Sequence, residues 1–254
     1  MSTRGSLRIV GLGPGGAQWM TPEAAELIAG ATDLVGYSSY LERIPPAEGQ
    51  ARHATGNGQE LARARHALHL AESGRRAVLV SGGDPGVFAM AAAVFEAIAG
   101  EPRWRSIDVA VSPGITAMQA AAARAGAPLG HDFCAISLSD NLKPWGVIER
   151  RLAAASAADF VIALYNPASE ARPGRICDAF ALLRSMKDAA TPVVFARALG
   201  RADEDVSVTV LGAADPSRAD MSTLIIIGSS ETRIIPRENG PPFVYTPRGA
   251  KAVL

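Results

Sequence analysis

Short apolar runs alternate with amphipathic stretches along most of the chain. Leu7 to Leu12 reads as a strand ending in Gly11-Leu12-Gly13-Pro14-Gly15-Gly16. Thr21-Pro22-Glu23 then opens a helix, with a hydroxyl N-cap, proline at the first helical position and an early acid. Asp33 to Gly36 reads as a second strand, Gln59 to Ser73 as a helix stopped by Gly74, and Ala77 to Ser81 as a strand. An apolar helix is predicted over Val87 to Ile98, a strand over Ile107 to Val111, and, after Ser112-Pro113-Gly114-Ile115-Thr116, an alanine-rich helix to Arg124. Repeated strand–helix units favour a mostly parallel sheet.

Ala125-Gly126-Ala127-Pro128-Leu129-Gly130 combines small residues with a proline and predicts a linker, dividing the chain into an N-terminal domain (1–124) and a C-terminal domain (125–254). Beyond it, Phe133 to Ser137 and Phe160 to Leu164 read as strands, and Trp145 to Ala155 and Arg175 to Met186 as helices. Three strands then follow with little helix between them: Pro192 to Ala196, Val206 to Leu211 and Thr223 to Ile227. That change of rhythm predicts a mixed sheet. The expected fold is therefore α/β, two α/β domains, mostly parallel in the first and mixed in the second.

Composition narrows the function. With 25 basic and 25 acidic residues the formal net charge is zero, which argues against nucleic acid or a membrane surface as the main partner. The two cysteines, Cys134 and Cys177, lie far apart among apolar residues and suggest neither a disulfide framework nor a metal motif. No apolar run reaches ~18 residues, and the start of the chain lacks a signal-peptide pattern. A cytoplasmic protein is expected.

The chemistry gathers where strands end. Val80-Ser81-Gly82-Gly83-Asp84-Pro85-Gly86 leads from a buried strand through two glycines, an acid and a proline, at the edge where α/β sheets bind ligands. Thr116-Ala117, Tyr165-Asn166 and Ala198-Leu199 also follow strands or turns and offer small or polar groups. Asp84 suits a ribose or an ammonium group, and equally an Asp-Pro-Gly turn. Gly11, Gly13 and Gly16 have the spacing of a dinucleotide fingerprint, but Pro14 intrudes and the helix begins only near Thr21. The second strand ends in Gly36-Tyr37 and not in an acid, so the dinucleotide reading is set aside.

Four segments, in order, resemble the tetrapyrrole methylase family: Val10-Gly11-Leu12-Gly13-Pro14-Gly15 with Met20-Thr21-Pro22, Ser81-Gly82-Gly83-Asp84-Pro85, Ser112-Pro113-Gly114-Ile115-Thr116-Ala117, and Met221 to Gly228. Val35-Gly36-Tyr37 with Tyr40-Leu41, Ile136 to Trp145, Leu164-Tyr165-Asn166-Pro167, Arg201 with Glu204, and Phe243 to Gly249 are similar to the subgroup that methylates C17 of precorrin-3B. The resemblance implies methyl transfer from S-adenosylmethionine, which becomes S-adenosylhomocysteine, with contraction of the ring to precorrin-4 in cobalamin biosynthesis. A homodimer with the cofactor in the cleft between the two domains is implied too. The cobalt-bearing substrate, another corrinoid position and an RNA target stand as alternatives. The lack of a cysteine or histidine cluster leans towards the metal-free ring.

Carried over by position, the cofactor contacts fall on Pro14, Gly82, Gly83, Asp84, Val87, Thr116, Ala117, Tyr165, Asn166, Leu199 and Thr223. Plain packing would equally account for Val87 and Thr223. Relatives often carry asparagine where Ala198 follows Arg197. Ring contraction needs a base for a C20 hydroxyl; Asp140 comes first, then Tyr165 and Tyr40, with His131 and Lys143 after them. Asp140 also suits a turn ahead of Pro144. Tyr40, Arg43, Lys143, Arg197, Arg201 and Arg248 are the expected contacts to a polycarboxylate substrate, since guanidinium forks hold carboxylates. No metal ligand is expected.

Overall fold

The computed structural model of the protein describes residues 5–168 and 174–249, and the chain divides into two compact units, 1–116 and 117–254. The division falls one helix earlier than the Ala125–Gly130 segment.

The first unit holds β1 (Ser6–Gly11), α1 (Pro22–Ala29), β2 (Asp33–Tyr37), α2 (Ser38–Leu41), β3 (Ala51–Thr55), α3 (Glu60–Glu72), β4 (Arg76–Ser81), α4 (Met90–Gly100) and β5 (Asp108–Ser112). Its five strands form one parallel sheet in the order β3-β2-β4-β1-β5. β1 connects to β2 on one side and β4 to β5 on the other. The strand order therefore reverses between β1 and β4, and the carboxyl ends of such a pair are where α/β sheets bind ligands. The central strands read as continuous apolar runs because both faces are covered. Leu7, Ile9 and Leu79 pack under α3 and α4 on one face, while Val10, Leu12, Leu34 and Val80 pack under α1 and α2 on the other. Thr21 caps α1, its hydroxyl accepting from the Ala24 N–H at 3.1 Å, a bond worth about 1 kcal/mol.

The second unit holds α5 (Ala117–Ala125), β6 (Gly126–Ala127), β7 (Phe133–Ser137), α6 (Trp145–Ala157), β8 (Val161–Tyr165), α7 (Arg175–Met186), β9 (Pro192–Arg197), β10 (Asp205–Val210), β11 (Thr223–Ile227), β12 (Arg233–Ile235) and β13 (Phe243–Tyr245). Its main sheet runs β10-β9-β11-β8-β7, with β7 and β8 parallel and β11 antiparallel to both neighbours. Phe180 of α7 and Phe195 of β9 stack at 6.0 Å in its core. A small sheet, β12-β13-β6, takes up part of the expected linker: Gly126 and Ala127 pair with Val244 and Tyr245.

Two differences from the sequence-derived elements have clear causes. The helix after Asp84 starts at Met90 and not at Val87, because Phe88 has φ +52° and Ala89 is extended. The apolar run continues through both residues and hides the boundary. β3, with Arg52 and His53, is an edge strand without an apolar signature.

Candidate functional site

In the first unit, three chain segments meet backbone to backbone at the carboxyl ends of β1, β4 and β5. Gly13 and Gly83 exchange hydrogen bonds, N–H to carbonyl, at 3.1 and 3.0 Å, both with left-handed φ. A Cβ on Gly11 would lie 2.7 Å from the Gly83 oxygen and equally close to Gly114, and one on Gly114 would overlap the same oxygen. Only glycine lets these segments touch. Asp84 locks them: Oδ1 accepts from the Gly86 N–H at 2.7 Å and Oδ2 from the Gly114 N–H at 3.0 Å. A carboxylate has about four acceptor sites, so one bond per oxygen leaves capacity for a ligand's hydroxyl or ammonium. Gly82, Gly83 and Asp84 are half-buried, as are Pro14 and Val87, whereas Thr116 is buried.

Tyr40 packs its ring over Gly82, where a Cβ would come within 2.7 Å of it, and meets Tyr37 edge-on at 5.5 Å. Arg43 points at the glycine loop. Its Nη2 donates to the carbonyls of Leu12 and Gly13, each at 3.0 Å, and to that of Gly15. Behind the loops, the buried Arg63 donates to Thr55 Oγ1 at 2.5 Å and to the Gly56 carbonyl at 2.6 Å, and no described carboxylate forms an ion pair with it. Burial pulls its pKa down, against the opposing pull of Glu60.

In the second unit, the positive-φ pattern recurs. Asn166 follows β8 with φ +52° and Ala198 follows β9 with φ +51°. Strained backbone of this kind clusters at functional sites. Asn166 donates from Nδ2 to Ser137 Oγ at 2.9 Å, and the Tyr165 hydroxyl accepts from the Met118 N–H at 3.1 Å at the start of α5. Leu199 is buried, and its loop is clasped by Glu204, which accepts from the Gly200 N–H and from Arg124 Nε, both at 2.6 Å. The Arg124 hydrogen bond holds the Glu204 carboxyl below its ordinary value, outweighing burial, with Gly200 helping. Thr223 uses its hydroxyl locally, donating to Asp220 Oδ1 at 2.8 Å and accepting from the Asp220 N–H at 3.1 Å.

Asp140 accepts from Arg175 Nε at 2.9 Å, and the Arg175 guanidinium lies 4.7 Å from the centre of the Trp145 ring. Lys143 is half-buried nearby in sequence, its pKa lowered by burial first and by Arg151 second. Arg197 is engaged by Asp220 at 2.8 Å and Asp203 at 3.0 Å. Arg201 and Arg248 are exposed, and His131 stands 3.8 Å from Asp132. No group of three or more His, Cys, Asp or Glu that could hold a metal occurs among the described residues.

Comparison with known proteins names this arrangement. Residues 6–215 match the Tetrapyrrole (Corrin/Porphyrin) Methylases. The chain belongs to the tetrapyrrole methylases. It is 58% identical over 245 residues to the Precorrin-3B C(17)-methyltransferase of Sinorhizobium sp, covering 96% of each chain. It is 41% identical over 244 residues to a Probable cobalt-factor III C(17)-methyltransferase of Salmonella typhimurium, covering 96% of this chain and 98% of that one. The crystal structure of the methyltransferase CobJ superposes with a TM-score of 0.91 at 48% identity, covering 96% of this chain and all of that one.

In this tetrapyrrole methylase the glycine segments and Asp84 lie together at the carboxyl ends of β1, β4 and β5. Three features were not anticipated. Arg43, expected on substrate carboxylates, is bonded to the carbonyls of the Pro14 loop. Arg197 is held in two ion pairs. Phe88 is exposed with a left-handed backbone, and no spacing rule in the sequence announces a strained residue of that kind.

Proposed function

We propose that the chain methylates C17 of precorrin-3B with S-adenosylmethionine and contracts the macrocycle to give precorrin-4, a step of cobalamin biosynthesis. The likeness to the Sinorhizobium enzyme over nearly the whole of both chains carries this reading. The cofactor fits the chemistry of the first unit. Half-buried glycine backbone at Gly82–Gly83 lets a ligand approach closely, and Asp84 keeps acceptor sites for an ammonium or a ribose hydroxyl. When bound, S-adenosylmethionine supplies a methyl group already activated on a sulfonium.

The residues' work is then alignment and exclusion of water. Pro14, Gly82, Gly83, Asp84, Val87 and Thr116 of the first unit, with Ala117, Tyr165, Asn166, Leu199 and Thr223 of the second, are proposed to hold the cofactor. Thr223 would do so through its backbone and methyl group, since its hydroxyl is used by Asp220. Tyr40, Lys143, Arg201 and Arg248 are proposed to meet the substrate. Contraction asks for a general base that takes the proton of the C20 hydroxyl. Asp140 is proposed as the base and Tyr165 as its alternative. Arg175, already bonded to Asp140, would orient the carboxylate. A cytoplasmic homodimer completes the reading; no helix among the described residues is long and apolar enough to cross a membrane.

The test is anaerobic incubation of the purified protein with precorrin-3B and methyl-labelled S-adenosylmethionine, read by mass and NMR. One label on C17 with an acetyl-bearing extruded C20 is the expected product; cofactor binding without a methylated ring refutes the assignment. The Salmonella relative gives a specific reason to run the cobalt-containing ring in parallel. Faster turnover of that ring would move the assignment to it.

A further inference from the structure

Phe88 combines three properties that seldom coincide. Its φ is +52°, a region that disfavours residues with bulky side chains. Its side chain is 51% exposed, so half of a large apolar surface faces solvent. Its neighbours leave the backbone no slack: Asp84 Oδ1 accepts from Gly86, the Val87 N–H reaches the Asp84 carbonyl at 3.3 Å, and the Ala91 N–H reaches the Pro85 carbonyl at 2.8 Å. Two left-handed residues that directly follow strands are easier to account for. Asn166 is a residue type that tolerates this conformation and bonds to Ser137, and Ala198 is small and buried.

Glycine at position 88 would relieve the backbone, and a polar residue would suit the solvent. A half-exposed aromatic ring serves neither need, and it stands on the segment that joins Asp84 to α4. A flat, conjugated ligand would make use of such a ring, because offset stacking and edge-to-face contacts act over centroid distances of roughly 4.5–7 Å. Resting on the functional reading above, we propose that Phe88 is a substrate-binding residue whose ring packs against the tetrapyrrole macrocycle. In this role it sets macrocycle affinity and leaves cofactor affinity alone.

Phe88→Gly, Phe88→Leu and Phe88→Tyr should be compared with the wild type in three measurements: melting temperature, affinity for S-adenosylhomocysteine by calorimetry, and affinity for precorrin-3B by anaerobic absorbance titration. Phe88→Gly is expected to melt at or above the wild-type temperature and to bind S-adenosylhomocysteine within about twofold, while precorrin-3B weakens by roughly 3- to 10-fold. Phe88→Leu should show the same weakening, and Phe88→Tyr should bind like the wild type. Unchanged precorrin-3B affinity in Phe88→Gly overturns the proposal. So does a melting temperature lowered by several degrees with both ligands weakened alike, which marks a packing residue. A wild-type protein that binds S-adenosylhomocysteine but no tetrapyrrole refutes the functional reading itself, and the role of Phe88 with it.

Discussion

Replacing Arg43 with methionine separates two roles that the chemistry of arginine allows. The side chain sits on the Pro14 loop, with Nη2 donating to the carbonyls of Leu12, Gly13 and Gly15. One Nη carries two hydrogens, so three acceptors share two donors and the energy is bounded by about two charge-assisted bonds. Such bonds contribute ~1.5–3 kcal/mol each, and half-burial of the side chain places the total for two near its lower end, about 3 kcal/mol. Not all of this is lost as loop order, since the Gly13–Gly83 exchange at 3.1 and 3.0 Å still holds the loop after the substitution. If half of it is loop preorganisation, affinity for S-adenosylhomocysteine falls about 10-fold at ~1.4 kcal/mol per decade. Calorimetric titration of wild type, Arg43→Met and Arg43→Lys reads this directly. The lysine variant should lie between the other two, because an ammonium is a compact charge without the planar fork. Cofactor affinity within twofold of wild type in Arg43→Met, with KM for the tetrapyrrole raised tenfold or more, refutes the loop role and restores Arg43 to the substrate.

Other substitutions test the remaining geometry. Gly114→Ala drives a methyl into the Gly83 carbonyl and should abolish S-adenosylhomocysteine binding in calorimetry, whereas Gly100→Ala, with nothing within 4 Å of the new Cβ, should be silent. Burial pushes the Cys134 thiol up, so mass-resolved alkylation at pH 8 should label the exposed Cys177 at least about tenfold faster. Glu204 has a depressed folded pKa, so its contribution is present above the ordinary value of 4.5 and is lost as pH falls through the folded value. The urea midpoint of the wild type should therefore fall on acidification below that value more steeply than that of Glu204→Gln. At pH 7 the two should differ by only about 1 kcal/mol, because Arg124 is 43% exposed and the pair is screened.

The parts of this protein that could be read from its sequence are those where one residue type has one physical use. Apolar runs buried on both faces, such as Ala77 to Val80 along β4 and Thr223 to Ile227 along β11, announce strands because nothing else of that length tolerates them. Thr21 and Pro22 announce a helix start, and the structure has α1 begin there. The Gly82–Gly83 pair signalled a close approach, although what Gly83 first permits is contact with the backbone at Gly11 and Gly114. What stayed hidden depends on partners distant in sequence. β3 is recognisable only through its pairing with β2, and β6 only through Val244 and Tyr245.

The arginines show the limit most clearly. Arg43, Arg63, Arg175 and Arg197 are the same residue type, yet one grips loop carbonyls, one is buried, one lies over an indole while bonded to a carboxylate, and one is tied into two ion pairs. A guanidinium has five donors and no fixed preference among carbonyl, carboxylate and ligand. Its role is therefore decided by which acceptors the fold brings within reach. Zero net charge also takes on a different meaning here. At Arg175 and Arg197 the balance is local, with acids paired to the arginines, whereas Arg201 and Arg248, proposed to meet the substrate carboxylates, are exposed. Charge reversal at Arg201 or Arg248 should accordingly raise the tetrapyrrole KM, while the same change at Arg197 should lower stability first.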